Sequence, residues 1–564
     1  MKKIRFFLYG CCVIALAYLL TQNGRVSTPP AGLSASARPA VHELPMAAPD
    51  ARRGNSAVAV QDDLAGKKRP QEGPGADVVG TAPDIQPESP DVIPNEHILS
   101  FADTADREMF ARLAEARGLQ ILGRMQLGNT LRLRVDDPAA LQELLEHGPA
   151  PIEYGPNHAI RLPRRPEELP RPPAGSYAAF GDSALERLGV QGPHANWGAG
   201  IKVAVLDTGV APHPALSEPR IKRRNFLEEP DEEYSDYGYH GTAVASIIAG
   251  TSSQLTGIAP AAEILSMKVL SDEGMGDTFT LAQAIVDSVD RGARIINMSL
   301  GTQSDSPVLR QAVQYARDHD VALVAATGND SVNAVSYPAR YKGVISVAAV
   351  DAVGRHLYFS NRGPEVDIAA PGLGVEAALA DEEHGSFSGT SAAAPFVSGA
   401  LAWIMAEQPD ISTDDAVALL SEYADDIERP GSDETTGSGM LNIQRIRERD
   451  NDGIYDVAVL APYIPSAAED SDRIEVVVAA QNRGTEYLDF VDMSVDVEGT
   501  IYAQTLYNIA VGETVSHVFS VPNPALQQSG SIGITYAATI SGEKDRDAAN
   551  NNGRWNIVPR PNSR

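Results

Sequence analysis

Ile201-Lys202-Val203-Ala204-Val205-Leu206-Asp207-Thr208-Gly209 is a short apolar run, rich in β-branched residues, that closes on a carboxylate and a glycine. Ile201 to Leu206 reads as a buried strand ending at Asp207. Ala261 to Val269, Ile295 to Met298, Val321 to Ala326 and Val344 to Val347 are runs of the same kind. Helical spacing fills the intervals at Thr242–Ala249, Thr280–Arg291 and Val308–Asp318. This alternation predicts an α/β domain over 180–448, with a mostly parallel sheet covered by helices on both faces. In such sheets the reactive groups gather beyond the carboxyl ends of the strands. Asp207 falls at one such end, and Asn329 falls just after another.

Two further short words stand beside Asp207-Thr-Gly209: His240-Gly-Thr242 and Gly389-Thr-Ser391-Ala-Ala-Ala-Pro395. Together the three supply a carboxylate, an imidazole and a hydroxyl, the parts that turn a weak nucleophile into one that attacks an amide. A serine at a helix start is ordinarily a cap. Here Ala392, Ala393 and Ala394 let the helix pack closely under a cleft, and Pro395 is expected in its first turn, which sets where the helix begins. An imidazole, here that of His240, can accept the serine proton and return it. It needs a carboxylate behind it; Asp207 is the candidate, and Asp236, near in sequence, is the alternative that spacing leaves open. In Ala325-Ala-Thr-Gly328-Asn329 the glycine frees the backbone after a strand and lets the amide point into a cleft. An amide N–H there, with the backbone N–H of Ser391, would meet an oxyanion; losing one such donor costs about 3 kcal/mol of barrier stabilisation.

The chain of 564 residues is 43% hydrophobic, enough for several domains, and its formal charge of −29 argues against a nucleic-acid partner. Both cysteines, Cys11 and Cys12, sit in the N-terminal apolar stretch, so the folded parts are expected to hold no disulfide. Met1-Lys-Lys3 and Arg5 precede the apolar run Phe6 to Leu20, and Ala15-Leu-Ala17 offers a small-x-small cleavage pattern. Residues 1–22 therefore read as an export signal or a membrane anchor, with Leu8-Tyr-Gly-Cys11 a loose lipidation box, and the remainder as exported. Residues 23–96, rich in Pro, Ala, Gly and Asp, are expected to be a disordered spacer. Residues 97–162 carry the order β-α-β-β-α-β, and an Arg- and Pro-rich linker, 163–179, follows. Residues 454–558 read as strands separated by Gly, Asn or Pro turns, a β-sandwich.

At these residues the chain resembles a subtilisin-like serine protease, a subtilase. Asp207-Thr-Gly, His240-Gly-Thr and Gly389-Thr-Ser391 match the family's three motifs in family order, and Asn329 matches its oxyanion asparagine. Ala392 stands where methionine is common and Phe396 where histidine is common; neither change removes a reactive group. The resemblance implies a three-layer α/β domain and a serine endopeptidase acting on protein or peptide substrates. It implies that Ser299-Leu300-Gly301 pairs with one edge of an extended substrate, and that Gly274-Met275-Gly276 pairs with the other. Ser336, where glycine is common, falls at the base of the first specificity pocket. Residues 97–162 resemble the family's ferredoxin-like inhibitory propeptide, whose tail through Ala159-Ile-Arg-Leu162 would lie in the cleft and be cut. The C-terminal segment resembles an adhesion-like or immunoglobulin-like module. The chemistry requires no cofactor; a structural calcium ion is common among relatives, but its site stays unassigned here, since acidic loops such as 228–236 carry no ligand spacing specific enough to mark one. The rivals are a catalytically silent or self-blocked subtilase-fold binding protein, and an esterase of another fold, whose triad would run Ser, acid, His along the chain.

Overall fold

Asp91 is buried, and β1 (Val92–Ser100) begins at the next residue. Residues 91–96, expected to belong to the spacer, are thus folded. They carry carboxylates, Asp91 and Glu96, that are buried on ion pairs rather than left in solvent. The computed structural model describes residues 91–170, 172–173, 175–227, 239–379, 383–465, 472–523 and 532–557. The N-terminal apolar run with Cys11 and Cys12, the spacer up to residue 90, the acidic loop 228–236 and Asp236 lie outside the described residues.

After β1 come α1 (Thr104–Ala116), β2 (Gln120–Met125), β3 (Thr130–Arg134), α2 (Pro138–His147) and β4 (Glu153–Arg161). The strands lie in the order β2-β3-β1-β4, all antiparallel. Asp103 and Asp137 cap the two helices through their carboxylates. Alternation along the strands sends side chains to both faces of this sheet. Leu99, Leu131 and Leu133 pack beneath the helices with Phe110 and Leu144. Ile98, Met125 and Ile160 face the other way, into the core of the next segment.

That segment contains α3 (Ala184–Arg187), β5 (Lys202–Asp207), β6 (Ile221–Asn225), α4 (His240–Ala249), β7 (Glu263–Lys268), β8 (Met275–Asp277), α5 (Thr278–Asp290), β9 (Ile295–Met298), α6 (Pro307–Asp318), β10 (Ala322–Ala326), β11 (Ile345–Val350), β12 (Ile368–Pro371), β13 (Val375–Ala378), β14 (His384–Phe387), α7 (Thr390–Glu407), α8 (Thr413–Glu422) and α9 (Ile443–Glu448). Seven strands form one parallel sheet in the order β12-β11-β10-β9-β5-β7-β6. Apart from the exposed edge strand β6, the strands are buried on both faces, which explains their unbroken apolar runs. Val203 and Val205 point into the core beneath α4 and α7, while Ala204 and Leu206 point into the core beneath α5 and α6. The strand order reverses at β5, which pairs with β7 on one side and β9 on the other. A crevice opens where strand order reverses, and Asp207 ends the strand at that point.

Helix α7 begins at Thr390, so Pro395 lies inside it rather than in its first turn. A proline there removes the N–H that would bond to the carbonyl four residues back, which belongs to Ser391. The Ser299 hydroxyl donates to that carbonyl instead, at 3.1 Å. Apart from its last two residues the helix is buried, which suits an element that is apolar on every side.

The C-terminal strands are β15 (Val457–Val459), β16 (Arg473–Asn482), β17 (Leu488–Val497), β18 (Thr500–Ile509), β19 (Thr514–Pro522), β20 (Ile532–Ile540) and β21 (Asn552–Ile557). They form two antiparallel sheets, β15-β16-β19 and β18-β17-β20-β21. Val476, Val478, Val491, Met493, Val495 and Phe519 belong to the core they share. β18 and β21 were not expected from the sequence; both are edge strands.

Candidate active site

Asp207 is fully buried at the end of β5, and His240 opens α4. The His240 Nδ1 lies 2.9 and 3.0 Å from the two Asp207 carboxylate oxygens. The Thr208 N–H donates to Asp207 Oδ1 at 2.7 Å, and the Thr208 hydroxyl accepts from the Gly241 N–H at 3.2 Å. Strand end and helix start are thereby tied together. Gly241 permits the approach: a Cβ there would sit 2.3 Å from the Gly209 carbonyl oxygen. An Nδ1–H that donates to Asp207 leaves the Nε2 of His240 as the acceptor. The Phe387 ring stands edge-on to His240, 5.2 Å between centroids.

Ser391, second residue of α7, is buried, and its hydroxyl donates to the Ser299 carbonyl at 3.3 Å. Ser299 therefore holds Ser391 twice, through its own carbonyl and its own hydroxyl. Asn297 donates in turn to the Ser299 hydroxyl at 3.0 Å and accepts from Ser398 at 2.9 Å. This buttress reaches from the end of β9 into α7.

Asn329 follows β10 in a loop freed by Gly328, whose φ is +105°. Its Oδ1 accepts from both the backbone N–H and the hydroxyl of Thr390, at 2.9 and 2.8 Å. Its Nδ2 is thus turned outward, and it donates to the carbonyl oxygen of Arg164 at 2.8 Å.

The other flagged residues surround the same chain segment. Gly301 exchanges both main-chain hydrogen bonds with Arg161, each 2.9 Å, and the Leu162 N–H donates to the Gly274 carbonyl at 3.0 Å. Met275 and Gly276 pair antiparallel with Arg161 and Ile160. Gly274 has φ +75°, and a Cβ there would meet the Leu162 side chain at 2.9 Å. Leu300 is fully buried beneath this edge. Ser336 lies under the floor, where a Cβ on Gly301 would meet its Cβ at 3.0 Å. Leu162, Arg164, Asn329, Phe387, His240 and Ser391 all line one cavity of about 390 Å³. A larger cavity of about 740 Å³, bordered by Leu185, Leu255 and Phe396, is lined by none of Asp207, His240, Asn329 and Ser391.

Several residues at this site carry no local signal. Asp91 accepts from Arg161 at 2.8 Å, from the Thr302 hydroxyl at 3.0 Å and from the Gln303 N–H at 2.9 Å. Arg132 bridges Glu96 at 2.7 Å and Asp277 at 3.1 Å, and Asn157 donates to both carboxylates at 3.0 Å. Burial pushes the Glu96 carboxyl up, but the Asn157 hydrogen bond and the Arg132 charge outweigh it and hold the group below its usual value. Asp277 also caps α5. Only the pairing of distant segments reveals these contacts. Among the described residues no group of three or more His, Cys, Asp or Glu is placed to hold a metal ion. Among the same residues no helix is long and apolar enough to cross a membrane.

The subtilase family profile matches residues 198–439. A thermostable alkaline protease from Halalkalibacterium halodurans is 38% identical over 251 residues, spanning 44% of this chain and 68% of that protein. Subtilisin Savinase from Lederbergia lenta is 36% identical over 249 residues, spanning 44% of this chain and 90% of that protein. Among solved structures, fervidolysin from Fervidobacterium pennivorans, a keratinolytic enzyme related to subtilisin, matches with a TM-score of 0.55 at 19% identity. The match covers 81% of this chain and 91% of that one, and it speaks for the fold alone. On these relationships the chain belongs to the subtilase family and is a serine endopeptidase.

Proposed function

We propose that Ser391 is the nucleophile, His240 the general base and then acid, Asp207 the carboxylate that orients and supports the imidazole, and Asn329 the oxyanion donor, joined by the Ser391 N–H. The observation that carries this reading is a single carbonyl, that of Arg164, held by Asn329 in a cavity lined also by His240 and Ser391. Attack requires the Ser391 hydroxyl to turn from the Ser299 carbonyl toward His240 Nε2. The proton moves to Nε2, the oxyanion is met by Asn329, and the amine leaves with the proton from His240; water then repeats the sequence against the acyl-enzyme. No cofactor takes part in these steps. A structural calcium ion, whose site is unassigned, would act on rigidity, not on chemistry.

The substrate is a protein or peptide held extended between Gly301 on one edge and Gly274-Met275-Gly276 on the other, with Ser336 beneath the first side-chain pocket. The N-terminal sheet with α1 and α2 acts as an intramolecular inhibitor and folding aid. Its tail already occupies that position through Arg161 and Leu162, and we assign it as a propeptide that the enzyme cuts from itself. The C-terminal sheet pair is an immunoglobulin-like accessory domain. The fold likeness over 81% of the chain, well beyond the matched 198–439, supports this three-part organisation. Function outside the cytoplasm follows from the N-terminal charged and apolar pattern.

Intact-mass measurement of the purified protein beside Ser391→Ala tests the reading. The parent is expected to appear as two fragments and the variant as one full-length chain. Equal full-length masses for both would defeat self-processing.

A further inference from the structure

We propose that the bond this enzyme cuts in its own chain is Arg164–Arg165, and that main-chain anchoring selects it rather than the Arg164 side chain. The inference rests on the self-processing reading above and adds the position and the rule that sets it.

The segment is clamped on both sides of one carbonyl. Upstream, Arg161 exchanges two hydrogen bonds with Gly301, and the Leu162 N–H reaches Gly274. Downstream, the Pro166 carbonyl accepts from the Tyr358 hydroxyl at 3.0 Å, and the Pro166 ring is buried. Between these anchors Pro163 has no N–H to give, and the Arg164 carbonyl is the group that meets Asn329. At 2.8 Å from the intact carbonyl oxygen, the Asn329 donor is placed to follow that oxygen as it becomes an oxyanion. The neighbouring bond, Arg165–Pro166, would have to expel a proline nitrogen whose carbonyl neighbour is already tied to Tyr358.

The Arg164 side chain adds little. Its Nε lies 3.4 Å from Asp330 Oδ1, and the arginine is 64% exposed. Exposed ion pairs of this kind change an equilibrium by less than about fivefold. In the step itself Ser391 Oγ bonds to the Arg164 carbonyl carbon and gives its proton to His240. The C–N bond to Arg165 breaks, and the Arg165 nitrogen leaves with that proton. Water then cleaves the ester, freeing the Arg164 carboxylate and restoring Ser391.

The test is N-terminal sequencing and intact mass of the full chain as it matures. The expected products are a fragment ending at Arg164 and an enzyme beginning at Arg165, both absent from Ser391→Ala. Arg164→Ala is expected to be cut at the same bond, slowed less than about fivefold. A Ser391-dependent cut at any other bond overturns the inference while leaving self-processing intact. So does an Arg164→Ala cut that moves to a new bond or is lost in a chain that still folds, judged by its thermal transition. No Ser391-dependent cut anywhere overturns both readings.

Discussion

The Ser299 hydroxyl donates to the Ser391 carbonyl at the place in α7 where Pro395 has no N–H to offer. The carbonyl of Ser391, second residue of the helix, is therefore satisfied by a side chain from just beyond β9. Ser299→Ala should remove this donor and leave a buried acceptor unpaired, costing about 1–3 kcal/mol of stability. Urea unfolding measured in a Ser391→Ala background, which avoids self-digestion, reads the effect. A midpoint unchanged from the background variant would show that the carbonyl finds another donor.

Thr390 is a positioning residue for Asn329. Its hydroxyl and N–H both fill the Asn329 Oδ1, which leaves Nδ2 toward the cleft. Thr390→Val should lower kcat about five- to tenfold, the worth of one orienting hydrogen bond, with KM little changed. Thr390→Ser should restore most of the loss. Equal behaviour of the two variants in peptide hydrolysis would remove the hydroxyl from the account.

The places of the three motif words were legible because Asp207, His240 and Ser391 each sit within two residues of a strand end or helix start, where local pattern is strong. Asp207 closes β5, His240 opens α4, and Ser391 is second in α7. The parallel sheet was legible for a related reason, since strands buried on both faces read as apolar runs. What escaped was set by partners far along the chain. Asp91 reaches Thr302 and Gln303, and nothing near residue 91 announces it. Pro395 was placed in a first turn because the compensating donor, Ser299, is distant in sequence. Strand β18 was missed because, as an edge, it exposes Thr500, Ile501 and Tyr507 and shows no clean alternation.

Arg132 ties the N-terminal sheet to Asp277 through a largely buried bridge, whereas Arg134 pairs with Glu96 while 47% exposed. Arg132→Ala leaves two carboxylates facing each other. It should speed release of the processed N-terminal fragment on the order of a hundredfold, as breaking a buried pair costs about 3 kcal/mol. Arg134→Ala should change release by less than about fivefold. Native mass spectrometry over time distinguishes them, and equal rates would argue against the bridge.

Asp456 is buried, and burial pushes its carboxyl up to about 6 against the hydrogen bond from Asn550. An aspartate free in the unfolded chain titrates near 3.9, so between about pH 4 and 6 the folded state binds more protons than the unfolded state. Stability from this group is therefore lost as pH rises through that window, by roughly 2–3 kcal/mol in total. Asp456→Asn keeps the shape and removes the charge. In the Ser391→Ala background it should stabilise the protein more at pH 8 than at pH 4.5 in urea unfolding. An effect equal at both pH values would contradict the assignment.

The direct trial of Ser391 as nucleophile is covalent labelling of the processed protein with a fluorophosphonate, with the modified residue mapped by peptide mass spectrometry. The label should fall on Ser391 and vanish in His240→Ala, whose serine lacks its base. Labelling at another residue, or no labelling of folded enzyme freed of its N-terminal fragment, would contradict the account.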